Sequence, residues 1–318
     1  MPRMKSESPR VSIIIPAYNV AQFISETLDS VFAQTFDDYE VIIVNDGSPD
    51  TVELERVLNP NLEKICYLKQ ENRGAGAARN TGLRAARGTY VAFLDADDVW
   101  LPNYLEKQVN FIESDGGYDL VYSNALLIGD SPWTGKTYMD RDPSNGPVTL
   151  EALLGERCIV ITSGVVARRE LIMEVGLFDE TLPNSQDFDL WVRLARLPGA
   201  RMNFQRDVLL KHRAHEGSLA SDAIKSVEGE LKVLRRVREW PDLTDSERRA
   251  MENTIAHREA SVEVDRGKRS LVKGDYDAAT KSFKFANEYY RSLKLAIVLA
   301  GLRVAPKLVS GFYKLHRT

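Results

Sequence analysis

Three carboxylates stand within four residues at Asp95-Ala96-Asp97-Asp98, directly after the apolar run of residues 89–94. Acids this close repel one another unless something positive sits among them. Hard divalent cations such as Mg²⁺ and Mn²⁺ take oxygen ligands, and Mg²⁺ commonly shares one or two carboxylates with substrate phosphates. The pattern points to a metal-bridged phosphate site, set against the plainer alternative of a solvated acidic turn capping a helix that begins near Pro102. Asp46, in Asn45-Asp46-Gly47-Ser48, follows a second apolar run in the same way, and its plainer role is to cap the next helix. Asp187 and Asp189 open a helical pattern, where acids also complement a helix dipole. Two of the four histidines lie together in Lys211-His212-Arg213-Ala214-His215.

The elements that must hold these side chains alternate. Residues 11–15, 40–44, 64–69 and 89–94 read as strands, rich in β-branched and aromatic residues. Between them, residues 21–34 carry helical spacing at Phe23, Ile24, Thr27, Leu28 and Val31, and residues 74–87 form an Ala- and Arg-rich helical pattern. Near-continuous apolar strands separated by helices predict a mostly parallel sheet covered on both faces. In such α/β sheets ligands bind beyond the carboxyl ends of the strands. Asp46 and Asp95 each fall just past a strand, on that rim.

Six motifs then come in order. They are Ile15-Pro16-Ala17-Tyr18-Asn19, Val44-Asn45-Asp46-Gly47-Ser48, Asn72-Arg73-Gly74 with Ala78-Arg79-Asn80, Asp95-Ala96-Asp97-Asp98, Gly176-Leu177-Phe178-Asp179-Glu180, and the segment from Gln186 to Arg193. Together they resemble the family 2 glycosyltransferases of the Rossmann-like GT-A fold, over residues 11–218. The resemblance implies inverting transfer of a sugar from a nucleoside-diphosphate sugar, with UDP favoured, to a hydroxyl of a saccharide or lipid-linked acceptor in cell-surface polysaccharide assembly. It assigns Pro16, Ala17 and Tyr18 to the base pocket, Asp46 to a base N–H, and Arg73 to the base or diphosphate. Asp95 would bind the ribose hydroxyls and Asp97 the Mn²⁺ or Mg²⁺ that bridges the phosphates. Asp98 would support that shell or orient the sugar. Asp187 would be the general base, because an alcohol needs one to attack at neutral pH. Gln186 stands where relatives usually carry Glu, which removes one charge beside the base. Arg213 would meet the phosphates and His215 complete the metal shell, with a plain basic surface loop as the alternative. Trp191 reads as a core or acceptor-platform aromatic.

The remaining organisation is an expected disordered tail at residues 1–10 and a catalytic domain at 11–220, with its nucleotide-sugar half at 11–100 and its acceptor half at 101–220. A helical region follows at 221–318, and residues 271–286 resemble one tetratricopeptide-type hairpin. Residues 291–318 hold six Lys/Arg and no acid. Their apolar run, 295–302, is far short of the ~20 residues that span a bilayer. It is expected to pack on protein or to lie on an anionic membrane surface. The net charge of −4 argues against a nucleic-acid partner. Cys66 and Cys158 are expected to be buried free thiols. The N-terminus lacks the apolar stretch of a signal peptide, so a reducing cytoplasm is expected, with contact at the inner face of the membrane. A homo-oligomer is compatible with the sequence. Two other functions compete. A sugar nucleotidyltransferase needs a Gly-rich basic loop where this chain has Pro16-Ala17-Tyr18-Asn19. A non-catalytic sugar-nucleotide scaffold is opposed by the intact Asp97 and Asp187.

Overall fold

The apolar runs become the parallel half of one sheet. In the computed structural model, which describes residues 8–114, 117–215, 217 and 222–315, β1 (Val11–Ala17), β2 (Tyr39–Asp46), β3 (Cys66–Gln70) and β4 (Tyr90–Phe93) pair in parallel. With β5 (Val99–Trp100), β6 (Leu120–Gly129), β7 (Val165–Arg168) and β8 (Met202–Ala214) the order is β3-β2-β1-β4-β7-β6-β8-β5. β7 runs antiparallel to β4 and β6, while β6 and β8 are parallel, so the whole sheet is mixed. These directions bring the carboxyl end of β8 to the same rim as those of β1, β2 and β4.

Helices α1 (Ile24–Phe32), α2 (Thr51–Leu58), α3 (Ala75–Ala85), α4 (Tyr104–Ile112), α5 (Tyr138–Arg141), α6 (Leu150–Leu154), α7 (Arg169–Glu174) and α8 (Gln186–Ala195) accompany the sheet. Ile13, Ile15, Val41, Ile43 and Ala92 share one buried cluster with Leu28, Val31 and Leu54. Ile14 and Ile42 are equally buried, so these strands are covered on both faces and read as unbroken apolar runs. A Cβ at Gly82 would lie 2.6 Å from Ile14 Cγ2, so α3 packs directly on β1. Trp191 packs edge-on against Phe178 and near Phe93, and is buried, which makes it a core residue.

The chain divides into two compact units, Met1–Ser221 and Asp222–Thr318. The second contains α9 (Ala223–Arg238), α10 (Asp245–Lys273), α11 (Tyr276–Tyr290), α12 (Leu293–Val304) and α13 (Pro306–Leu315). Thr244 and Glu247 form a capping box that starts α10. Gly274, with φ of 82°, ends it, and Asp275 starts α11 by accepting the Ala278 N–H at 3.0 Å. A Cβ at Gly267 would lie 2.7 Å from the Phe283 ring, so α10 and α11 form a close hairpin in the segment singled out by sequence.

Two expectations change. Residues 1–7 of the expected tail lie outside the described residues, but Arg10 is fixed: its N–H donates to the Asp38 carbonyl at 3.1 Å and its Nε to Glu113 at 3.1 Å. Both cysteines are free and Cys158 is buried, its thiol pushed up to about 12 by burial. Cys66, however, is exposed, because β3 is the edge strand of the sheet. The helix expected near Pro102 is borne out by α4, which begins at Tyr104 after the two-residue strand β5.

Candidate active site

The loop after β1 turns at Asn19, whose φ of 56° is a left-handed conformation that asparagine tolerates. The Asn19 N–H donates to Ser48 Oγ at 2.6 Å and the Ala21 N–H to Asp50 Oδ2 at 2.8 Å. The loop that carries Pro16, Ala17 and Tyr18 is therefore tied to the loop after β2. Ala17 is buried, while Tyr18 leaves half its surface open. Asp46, the last residue of β2, is buried and does not cap α2. Its Oδ1 accepts from Gln70 Nε2 at 2.7 Å and from the Arg73 N–H at 2.9 Å; its Oδ2 accepts from the Gly74 N–H at 2.8 Å. Gly47 makes this possible. Its φ is 62°, and a Cβ there would lie 2.6 Å from the Asn72 nitrogen. A carboxylate has about four acceptor positions, so capacity remains on Asp46.

The Arg73 side chain turns to Glu180, with which it forms an ion pair. Asn80 completes that link: its Nδ2 donates to the Phe178 carbonyl at 2.8 Å and to Glu180 Oε1 at 2.9 Å. The Asn80 amide holds the Glu180 carboxyl below its ordinary value, against the effect of burial. The third and fifth motifs of the sequence thus meet in space.

Asp95 accepts from Arg79 Nη2 at 2.5 Å, and its N–H donates to Ser163 Oγ at 3.0 Å. Asp98 is fully buried, which overturns the reading of a solvated acidic turn. Its Oδ1 accepts the Arg213 N–H at 2.8 Å and its Oδ2 lies 3.0 Å from His212 Nδ1. Burial alone would lower His212, but the Asp98 carboxylate outweighs it and pushes the ring up to about 9. Asp98 therefore docks the end of β8 onto the acid turn.

That docking brings Asp97, Arg213 and His215 together. His215 Nε2 lies 2.8 Å from Asp97 Oδ2. Arg213 Nε donates to the Asp97 carbonyl at 2.9 Å, and its Nη2 to Glu26 at 2.6 Å. Burial, then the charges of Asp98 and Asp95, push Asp97 up to about 6, with the His215 bond opposing. Such a crowded carboxylate suits a cation. Among the described residues no group of three His, Cys, Asp or Glu could hold an ion alone. The pair therefore fits an ion shared with phosphate oxygens better than one in a closed protein cage.

Asp187 is the second residue of α8, which starts after Ser185 at a left-handed φ of 57°. Its Oδ1 accepts the Phe188 N–H at 2.8 Å and its Oδ2 accepts from Thr162 Oγ1 at 2.9 Å. Thr162 opens the short turn Thr162–Gly164. The next residue, Ser163, is the acceptor for Asp95, and its carbonyl accepts from Trp100 Nε1 at 2.8 Å. One turn thus fixes both acids. Gln186 is buried and donates to the Leu182 carbonyl at 2.8 Å, a bond that a glutamate carboxylate could not make. Asp189 binds Arg193 at 2.7 Å, and the guanidinium also donates to the Val175 and Leu177 carbonyls. Sequence reasoning missed Thr162, Ser163, His212 and the role of Arg79. Arg79 lay inside a recognised motif and His212 inside the basic, His-bearing segment, whereas Thr162 and Ser163 lay in neither.

Residues 12–176, more than half the chain, match the model of the glycosyl transferase family 2. The chain belongs to glycosyl transferase family 2. An uncharacterized glycosyltransferase of Rickettsia prowazekii is 36% identical over 70% of this chain and 69% of its own length. Glycosyltransferase AglE of Haloferax volcanii is 32% identical over 72% and 76%. The chain spans only 34% of a longer Rickettsia felis relative, with which it shares 36% identity. The family 2 fold extends to solved structures at 20% identity. S. aureus TarS 1-349, in complex with UDP, superposes with a TM-score of 0.60 over 97% of this chain and 91% of its own. Mannosyltransferase PcManGT of Pyrobaculum calidifontis, in complex with GDP-Man and Mn²⁺, gives 0.62 over 98% and 84%. The fold is GT-A, with a helical C-terminal region.

Proposed function

We propose that this family 2 member is an inverting glycosyltransferase that moves a sugar from a nucleoside-diphosphate sugar, with UDP favoured, to an acceptor hydroxyl. One observation carries the reading: Thr162 bonds Asp187 while the adjacent Ser163 bonds Asp95. The base must reach the anomeric carbon of a donor whose ribose Asp95 would hold, and a shared turn fixes the separation of the two acids. The nucleotide-sugar and Mn²⁺ complexes of the structural neighbours support the donor class and the metal.

In the proposed reaction Asp46 and the loop of Pro16, Ala17 and Tyr18 receive the base, Asp95 the ribose, and Arg73 and Arg213 the diphosphate. Arg213 would exchange Glu26 for phosphate oxygens. Asp187 takes the proton of the acceptor hydroxyl as its oxygen bonds to the anomeric carbon and the bond to the diphosphate breaks. A single displacement inverts that carbon. Asp97 and His215 would hold a divalent cation, which would supply positive charge for the leaving diphosphate. The acceptor is proposed to be a saccharide or lipid-linked sugar of cell-surface polysaccharide assembly, reached from the cytoplasm.

The test is donor hydrolysis with a panel of nucleotide sugars and Mn²⁺ or Mg²⁺, scored as free nucleoside diphosphate. Metal-dependent release from one donor, lost in Asp97→Ala, is the expected result. No release from any donor, with no metal-dependent nucleotide binding by calorimetry, overturns the reading.

A further inference from the structure

The last two helices carry a pattern that sugar transfer does not use. Leu293, Ile297, Val304, Leu308 and Phe312 are all at least 62% exposed. Leu293, Ile297 and Val304, spaced by four and seven residues, lie along one stripe of α12, and Leu308 and Phe312, four apart, along one stripe of α13. Leu295, Val298, Leu302 and Val309 turn the other way, into a small core with Leu271 and Phe283. α12 is thus apolar on two faces, and the second unit covers only one. Clustered exposed apolar side chains on consecutive helices mark an interaction surface.

Charge selects the occupant. Arg291, Lys294, Arg303 and Lys307 are exposed, and among the described residues none of them forms an ion pair. Several cations of α9 and α10 behave differently: Arg235 pairs with Glu259, Arg238 with Glu252, Arg258 with Glu230 and Arg266 with Glu228. Residues 291–318 contain no acid at all, in a chain whose net charge is −4. A second copy of this surface would bring cation against cation. An anionic leaflet satisfies both features, with apolar side chains at the acyl boundary and cations at the phosphates. Among the described residues no helix is long and apolar enough to cross a membrane.

We propose that α12 and α13 bind the surface of an anionic membrane, lying in the interface. The test is sedimentation of the full chain with vesicles of phosphatidylcholine, with and without phosphatidylglycerol. The chain sediments with the anionic vesicles alone, and raised salt weakens binding. Arg303→Gln with Lys307→Gln lowers the partition coefficient by roughly thirtyfold. Ile297→Ser with Leu308→Ser and Phe312→Ser abolishes binding. Both variants keep the wild-type melting temperature, since the changed side chains face solvent. Wild-type chain that stays in the supernatant with anionic vesicles overturns the proposal, as does binding that neither variant weakens. A dimer that the triple-serine variant dissociates, with no vesicle binding, would make a second copy the occupant instead. None of these readouts uses a nucleotide or sugar, so they stand or fall apart from the donor assay.

Discussion

The rim of the sheet and the last two helices use charge in opposite ways. At the rim each acid is tied down: Asp46 accepts three donors, Asp187 two, and Asp98 one N–H besides its contact with the His212 ring. Along α12 and α13, Lys294, Arg303 and Lys307 lack ion pairs among the described residues, and Leu293, Ile297, Val304 and Leu308 are exposed. A site for one small molecule must be built in advance, because misplacement by an ångström forfeits much of the rate. A fluid leaflet offers no fixed partner, so a surface for it needs only the separation of apolar from cationic groups. Single atoms should therefore matter at the rim, and numbers of side chains on the helices.

The largest effects test the rim. Asp187→Asn keeps an acceptor for Thr162 but cannot take a proton. Turnover is expected to fall by about 10²–10⁴-fold while calorimetry shows unchanged donor affinity. Turnover that survives would remove Asp187 as the base. Asp98→Ala leaves His212 and the Arg213 N–H without their acceptor. His212 is partly open to water, so the loss belongs at the low end of the range for a broken buried pair, about 3 kcal/mol in urea unfolding. A loss under about 1 kcal/mol would mean that charge does not clamp β8.

The contrast also explains what the sequence could reveal. Runs such as 11–15 and 40–44 are legible because burial on both faces leaves no polar interruption. Their ends agree with β1 and β2 to within two residues. β5 has two residues, too few to show a period, and no pattern reports that β7 runs antiparallel. The acids at the rim are legible because their chemistry is local and dense. Thr162 and Ser163 are not, since their partners lie 25 and 68 residues away and a hydroxyl has no signature of its own. Asp98 reads as a support of the metal shell or of the sugar, but nothing near it in sequence announces that its partner is His212.

Thr162→Val tests that unannounced contact. Valine keeps the shape and removes the donor to Asp187. The expected loss is about tenfold in kcat, with the KM for donor little changed, and recovery in Thr162→Ser. A fall in melting temperature that Thr162→Ser repeats, with kcat intact, would make the turn merely structural. Near the amino end of β2, Glu40 accepts from Ser12 Oγ at 2.7 Å and from the Arg87 N–H at 2.8 Å. Burial would raise its carboxyl, but these bonds prevail and lower it. A depressed carboxyl stabilises the fold above its ordinary value, and that contribution disappears as pH falls through the folded value. Glu40→Gln should cost about 1 kcal/mol at neutral pH after allowance for solvent screening, with the gap closing in acid. An equal gap at both pH values would mean that the carboxylate's charge contributes nothing.

The smallest expected effect separates the two regions most cleanly. Leu308→Ser with Phe312→Ser changes two side chains that are 75% and 66% exposed, so stability should move by less than about 0.5 kcal/mol. Donor hydrolysis in free solution should not change either, since Asp97, His215 and Asp187 take their positions from contacts within the first unit. Transfer to an acceptor presented in anionic vesicles should nevertheless fall, because holding enzyme and acceptor on one surface raises their effective concentration. A drop in free-solution hydrolysis would break the separation, showing that the helices support the chemistry itself.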